Sequence, residues 1–314
     1  MGRTGNLTLS GLWREFRQHL GPFLGNAGAG PDKTTPPALA DDPLEALLLR
    51  QAGEAAAFRC PIDRSTHFVG FGFSAQGWHP FVTALVEYGL GLATSYETSI
   101  LKEYYEAWRP ENAAEALAGF ELRGSALSEM PPHCFYLTPW SATTPELITD
   151  LVSWWVAYEN TEHGDSSLDF RQHGLGYFGP THPAKGELEY RRLTSIFERL
   201  RAGGYDRRYG DVNVRLLTRG TELRFIVDGG GYHRTAAMAA AGLAEVPAVF
   251  REPFAIRAED ADYWPQVRRG VWRRTDAVRY FNHLFDFDSR GWARDRGLLL
   301  EQKYPELRSG QVAS

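Results

Sequence analysis

The sequence predicts an α+β fold, and three observations predict it. The first half repeats apolar residues at helical intervals of three and four. The second half alternates a helix, two β-rich runs, a glycine loop, a second helix and a short strand. The composition is that of a core-forming chain, with 43% apolar residues against roughly 45–50% in ordinary soluble proteins.

Taken in order, Trp13, Phe16, Leu20 and Phe23 predict a short amphipathic helix over residues 11–24. The Gly-, Pro- and Ala-rich stretch 26–42 reads as a linker. A helix starts at Asp42 as cap, with Pro43 in its first position and Glu45 in its first turn. Residues 60–80 are aromatic and glycine-rich without a helical period, which suggests irregular structure or short strands. Helices return over 81–92 and 96–108, and again from the Thr144 cap and Pro145, with Leu147, Leu151, Trp154, Trp155 and Tyr158 as the expected core stripe. The expected division is an N-terminal helix and linker (1–42), a mostly helical aromatic-rich region (43–165) and a C-terminal unit (166–314).

In that unit 186–202 is helical, with Leu188, Leu193, Ile196, Phe197 and Leu200 apolar and Gly203-Gly204 at its end. Runs 211–217 and 223–227 form a hairpin. Residues 235–241 form an alanine-rich helix that ends where Gly242 supplies a left-handed cap. A strand follows over 245–250, then two helices near 258–269 and 276–287.

The net charge of −5 argues against a duplex-DNA binder, which needs basic residues to neutralise phosphate. Cys60 and Cys134 are isolated and match neither a disulfide framework nor a cysteine metal site. The reading has no membrane span and no signal peptide, so the expected location is cytoplasmic. His163, Asp165, Asp169, His173 and His182 form a polar run whose spacings fit no zinc pattern, and no metal ligand is assigned. The run precedes the C-terminal unit and could line its pocket, with Tyr177–Pro183 at the rim. Arg268, Arg269, Arg273 and Arg274 read as a solvated face.

The chemistry concentrates in Asp228-Gly229-Gly230-Gly231-Tyr232-His233-Arg234. A strand, a glycine loop and a helix start together make an anion site, because glycines bring backbone N–H groups close and the helix start adds unpaired donors and positive charge. A cation in a first helical turn is unfavourable for the helix alone, so His233 and Arg234 suggest an anionic guest, with Arg234 gripping phosphate.

This loop, the alanine-rich helix after it, Gly242-Leu243 and Val246-Pro247-Ala248-Val249 resemble the signature of ParB/sulfiredoxin-like proteins over about residues 179–250, under a quarter of the chain. The helix ending in Gly203-Gly204-Tyr205 is similar to the one that precedes the family's loop. Sulfiredoxins carry a nucleophilic cysteine where this chain has Tyr232, and ParB partition proteins add a basic DNA-binding domain that is not evident here. The closest motif match is to the branch that resembles free-serine kinases. That resemblance implies ATP or ADP as cofactor, with Mg²⁺ held through its phosphates, and a ParB/sulfiredoxin-like C-terminal unit. It implies Gly229, Gly230, Gly231, Tyr232, His233, Arg234 and Thr235 as nucleotide ligands. Asp228, Glu187 and His233 would be catalytic, with Glu189 as the fallback for Glu187. The function expected is a nucleotide-dependent phosphotransferase acting on a small hydroxyl compound such as a sugar, nucleoside or amino acid. The alternatives are a non-catalytic nucleotide-binding regulator and, third, a nuclease or DNA binder.

Overall fold

A mixed six-stranded sheet carries the molecule, in the order β1 (Leu39–Ala40), β2 (Ala57–Pro61), β6 (Glu245–Arg257), β4 (Val212–Arg219), β5 (Glu222–Val227), β3 (Ser65–Thr66). The computed structural model describes residues 36–309 except Ala75 and Arg123, so the expected helix at 11–24 lies outside the described residues. The interior of the sheet includes the expected hairpin, β4 (Val212–Arg219) and β5 (Glu222–Val227). Its turn is only Gly220-Thr221, tighter than the five residues the sequence suggests, and Gly220 supplies the positive φ of 58° that so short a turn requires.

β6 (Glu245–Arg257) runs parallel to β4 and is much longer than the six residues expected. It advances five residues, from Phe250 to Ala255, while β4 advances two, from Val214 to Leu216. The surplus is a bulge opposite Arg215 that re-aims Arg251 and Glu252.

The remaining strands are short: the first lies at the end of the stretch read as a linker, the second runs into the aromatic segment, and the third lies inside that segment, which was read as irregular or short-stranded. β1 (Leu39–Ala40) and β2 (Ala57–Pro61) extend one edge, and β3 (Ser65–Thr66) pairs with β5 at the other. The sheet thus draws on both sides of residue 165. Phe58 of β2 stacks on Phe250 of β6 with ring centroids 4.5 Å apart.

Helices surround the sheet. Asp42 caps α1 (Pro43–Gln51), accepting a hydrogen bond from Leu44 N at 2.7 Å. α2 (Pro80–Gly89) and α3 (Ile100–Ala107) follow, with a 3₁₀ turn at Tyr96–Thr98 where helix was expected. α4 (Pro145–Glu162) begins at Thr144 as predicted, but its buried stripe is Ile148, Val152, Val156 and Asn160. That stripe is displaced from the expected one: Leu147 is exposed, and Leu151, Trp154 and Trp155 are only partly buried in the wall of a cavity that Ile148 and Val152 also line. After the short α5 (Phe170–His173), α6 (Pro183–Gly203) and α7 (Tyr232–Ala240) pack on each other and on α2. Gly242 adopts the left-handed cap after α7 (φ 78°). Near residues 258–269 a 3₁₀ turn precedes the short α8 (Pro265–Arg268), and α9 (Arg274–Asp286) closes that side. Arg273 and Arg274 pair with Asp276 and Asp262, both cations being more than half exposed. No helix among the described residues is long and apolar enough to cross a membrane.

Gly231 sets the join between β5 and α7. A Cβ there would stand 2.6 Å from Val212 Cγ1 and 3.0 Å from Val227 Cγ1, both β-branched side chains in the sheet. Gly231→Ala should therefore lower unfolding stability by about 1–3 kcal/mol through overpacking. Denaturant melts would read it, and an unchanged midpoint would show that the loop yields freely.

Candidate functional site

Two neighbouring sites grow from the first turn of α7. Tyr232 and His233 are consecutive, and residues one apart on a helix point about 100° apart. Tyr232 lines an aromatic cavity, while His233 enters a buried polar cluster.

The cavity encloses about 850 Å³ of empty space, its open mouth included. One wall is α4, through Ile148, Leu151, Val152, Trp154 and Trp155. The segment 136–143 supplies Tyr136, Thr138, Trp140, Ser141 and Thr143, and Phe68, Tyr177 and Tyr232 complete the aromatic lining. Tyr177 belongs to the segment expected at the rim. The buried Tyr136 hydroxyl has no hydrogen-bond partner of good geometry.

The polar floor consists of Asp228, Gly229, Arg215 and Arg251. Arg215 Nε donates to Asp228 Oδ2 at 2.5 Å, Arg251 Nη1 reaches the same oxygen at 3.0 Å, and Arg215 Nη1 pairs with Glu252 at 2.9 Å. Burial pushes the Asp228 carboxyl up, but the two guanidiniums outweigh burial and hold it at about 2. Burial also raises Glu252, against the pull of Arg215. Two cations and two anions thus form a neutral set where the β6 bulge meets Arg215 of β4.

The glycine loop leaves β5 beside this floor. Asp228 N donates to Asn213 O at 2.9 Å, and Asn213 Nδ2 to Gly229 O at 3.3 Å, which ties the loop to β4. Gly229 and Gly230 take φ of 54° and 87°, conformations that glycine permits. Gly231 stands at the N-cap of α7 with no side chain capping it, so first-turn N–H groups remain available to an anion.

The second site is a knot around Glu189. Its Oε2 accepts from His233 Nε2 at 2.7 Å, and its Oε1 pairs with Lys185 Nζ, which also donates to Asn160 Oδ1 at 2.6 Å. His163 Nδ1 lies 3.7 Å from Oε1. Burial raises the Glu189 carboxyl, but Lys185, His163 and His233 prevail and hold it well below the usual carboxylate range. Burial lowers His233 against the pull of Glu189, and its ring stacks on Phe81. Glu159 stands between the two sites. Burial pushes it up to about 7 against Lys185, with Glu189 adding to the rise. Burial raises the cavity tyrosines Tyr136, Tyr177 and Tyr232, and the Glu159 charge adds to the rise.

The expected site residues separate accordingly. Asp228, Gly229 and Tyr232 meet at the cavity. Arg234 does not face it: Nη1 donates to the Gly210 carbonyl, to Tyr209 O at 3.2 Å and to Tyr205 Oη at 3.1 Å, while Nη2 donates to Gly230 O at 3.1 Å. Carbonyl oxygens occupy the guanidinium that was expected to grip phosphate. Thr235 is fully buried and its hydroxyl finds no partner. Glu187 is exposed, while Glu189, about 200° further round α6, is the carboxylate that reaches the loop. Of the polar run, only His163 joins the knot. Asp165 bonds Ser167, Asp169 caps α5, and the His173 and His182 rings pair at 5.0 Å. Arg215, Arg251 and Glu159 were missed. A readable signal existed for Glu189: Lys185, Glu189, Leu193 and Phe197 follow at i+4, which puts an ion pair on the apolar face of α6.

No family model matches the chain, and no curated protein or solved structure matches it.

Glu159 yields a pH test. Its folded pKa is raised, so the stability it contributes is full below its unfolded value near 4.5 and is lost as pH rises through about 7. Relative to the parent, Glu159→Gln should gain about 2 kcal/mol on going from pH 4.5 to pH 8. Parallel pH-dependent melts of the two proteins would show a gap widening with pH; parallel curves would remove Glu159 from the buried set.

Proposed function

We propose that the aromatic cavity and the glycine loop together bind a nucleotide, and that the chain uses it to phosphorylate a small hydroxyl compound. The observation that carries this reading is a shared wall. Gly229 and Tyr232 of the loop line the same cavity as Trp140, Trp154 and Trp155, so a planar base and its phosphates have adjoining places. Aromatic faces hold a base by stacking, and the uncapped start of α7 offers N–H donors to phosphate. The resemblance of residues 227–234 to the ParB/sulfiredoxin-like loop, and the fold it implies for the C-terminal unit, support the same assignment.

The phosphate grip passes from Arg234 to Arg215 and Arg251. An entering phosphate competes with Asp228 for these two guanidiniums, which can bind it by paired hydrogen bonds. As they turn to the phosphate, the Asp228 carboxylate is released to accept the proton of the acceptor hydroxyl. The hydroxyl oxygen bonds to the terminal phosphorus, the bridging bond breaks, and the shortened nucleotide leaves with its electrons. ATP or ADP fits this arrangement. Mg²⁺, held through the phosphates, would share with Arg215 and Arg251 the neutralisation of the transferred charge. The bridged state of Asp228 also favours a second reading, a regulator that changes partners on nucleotide binding without chemistry.

Calorimetric titration of ATP, ADP, CTP and GTP with Mg²⁺ tests the proposal. One of them should bind, and Arg251→Ala should weaken it by about 10–100-fold, the loss of one charged hydrogen-bonding partner. Trp155→Ala should weaken it as well. Arg234→Ala should leave affinity unchanged in protein that remains folded, because that side chain holds the 205–210 loop. No binding of any nucleotide sinks the assignment. Binding without acceptor-dependent turnover across a panel of sugars, nucleosides and hydroxyl amino acids selects the regulator.

A further inference from the structure

We infer that His163, Glu189 and His233 form a binding site for one divalent transition-metal ion of the zinc class. The three residues come from three elements: His163 ends α4, Glu189 lies in α6 and His233 in the first turn of α7. One donor atom from each lies within 4.8 Å of the others. Their side chains are only 8%, 4% and 15% exposed, respectively.

Hydrogen bonding accounts for two of the three. His233 Nε2 is 2.7 Å from Glu189 Oε2, and Lys185 occupies Oε1. It does not account for His163. That side chain is more than nine-tenths buried, its Nδ1 is aimed at Glu189 from 3.7 Å, and this nitrogen has no hydrogen-bond partner. A buried polar atom without a partner is costly, so the place calls for a species that imidazole nitrogen can bind. Donors sharing one zinc ion at roughly 2.0–2.2 Å stand about 3.3 Å apart in tetrahedral geometry. Closing the present separations on a single ion needs only rotamer-scale shifts.

The donor set selects the metal. Two imidazole nitrogens and one carboxylate oxygen suit Zn²⁺ and its neighbours, whereas Mg²⁺ and Ca²⁺ prefer oxygen throughout. Three protein ligands leave a fourth position for water. Lys185 is the opposing term, an ammonium on the same carboxylate. Asn160 holds it at 2.6 Å, so it can stay on Oε1 while the ion takes Oε2 from His233's hydrogen bond. Its charge then weakens binding and makes affinity depend on residue 185. None of the three ligands lines the aromatic cavity, so the site stands or falls apart from the nucleotide reading.

The test uses the full chain, stripped with a chelator and dialysed. Co²⁺ is titrated in while its visible d–d absorption is followed, Zn²⁺ is then added in competition, and bound metal is counted by elemental analysis. The expected result is one ion per chain, with Co²⁺ displaced by Zn²⁺ but not by Mg²⁺. His163→Ala should weaken binding by about 100-fold, at least the upper end of what outer-shell substitutions produce. His163→Ala also removes a buried ring beside Glu189 and His233, so circular dichroism checks its fold, and His163→Phe, which fills the space without a ligand nitrogen, should weaken binding likewise. Lys185→Met should tighten binding. Failure to take up stoichiometric Co²⁺ or Zn²⁺ would overturn the site, as would an affinity unchanged by His163→Ala; either leaves the cluster as a buried ion-pair knot.

Discussion

Glu189 is a carboxylate with almost no access to water, and an ionised group so placed costs several kcal/mol unless it is fully compensated. Its compensation comes from three directions. Lys185 sits one turn earlier on α6, Asn160 of α4 holds that ammonium, and His233 of α7 takes the second oxygen. Meeting this single demand fixes how three helices lie against one another. With His233 held, Tyr232 is turned toward the cavity; with Asn160 held, the turn of α4 before it presents Trp154 and Trp155 to the same cavity. The aromatic walls are therefore placed by a charge that does not touch them.

The cluster at the cavity floor works under a different constraint. Asp228, Arg215, Arg251 and Glu252 are each partly open to solvent, so breaking one of their ion pairs costs less than leaving the more deeply buried Glu189 uncompensated. The bulge in β6 creates this floor. A regular ladder would carry alternate side chains of β6 to opposite faces, whereas the surplus residues bring Arg251 and Glu252 together at Arg215.

Local signals made much of the frame readable. Asp42-Pro43, Thr144-Pro145 and Gly242 mark helix ends through single-residue stereochemistry, and the structure has them there. The β4–β5 hairpin follows from its two β-rich runs. What escaped is non-local. β3 has two residues and no periodicity, and it exists only because β5 offers it an edge. The α4 stripe was displaced because tryptophan is as compatible with a cavity wall as with a core, and spacing cannot separate the two. The β6 bulge follows from a register that no window of one strand contains. For the site, the glycine loop was legible, whereas Arg215 and Arg251 were not. They reach Asp228 from 13 and 23 positions away along the chain, through sheet pairing alone.

Arg234 shows where a sound local argument stopped short. A cation at a helix start opposes the macrodipole, and an anionic guest would relieve that conflict. Backbone carbonyls relieve it equally well. Gly210, Tyr209 and Gly230 turn their oxygens onto the guanidinium, and the Tyr205 hydroxyl completes the ring of acceptors. The side chain then works as a clasp between the 205–210 segment and the loop, which holds Gly230 in its left-handed turn. The cation thus braces the chain behind the loop without lining the cavity.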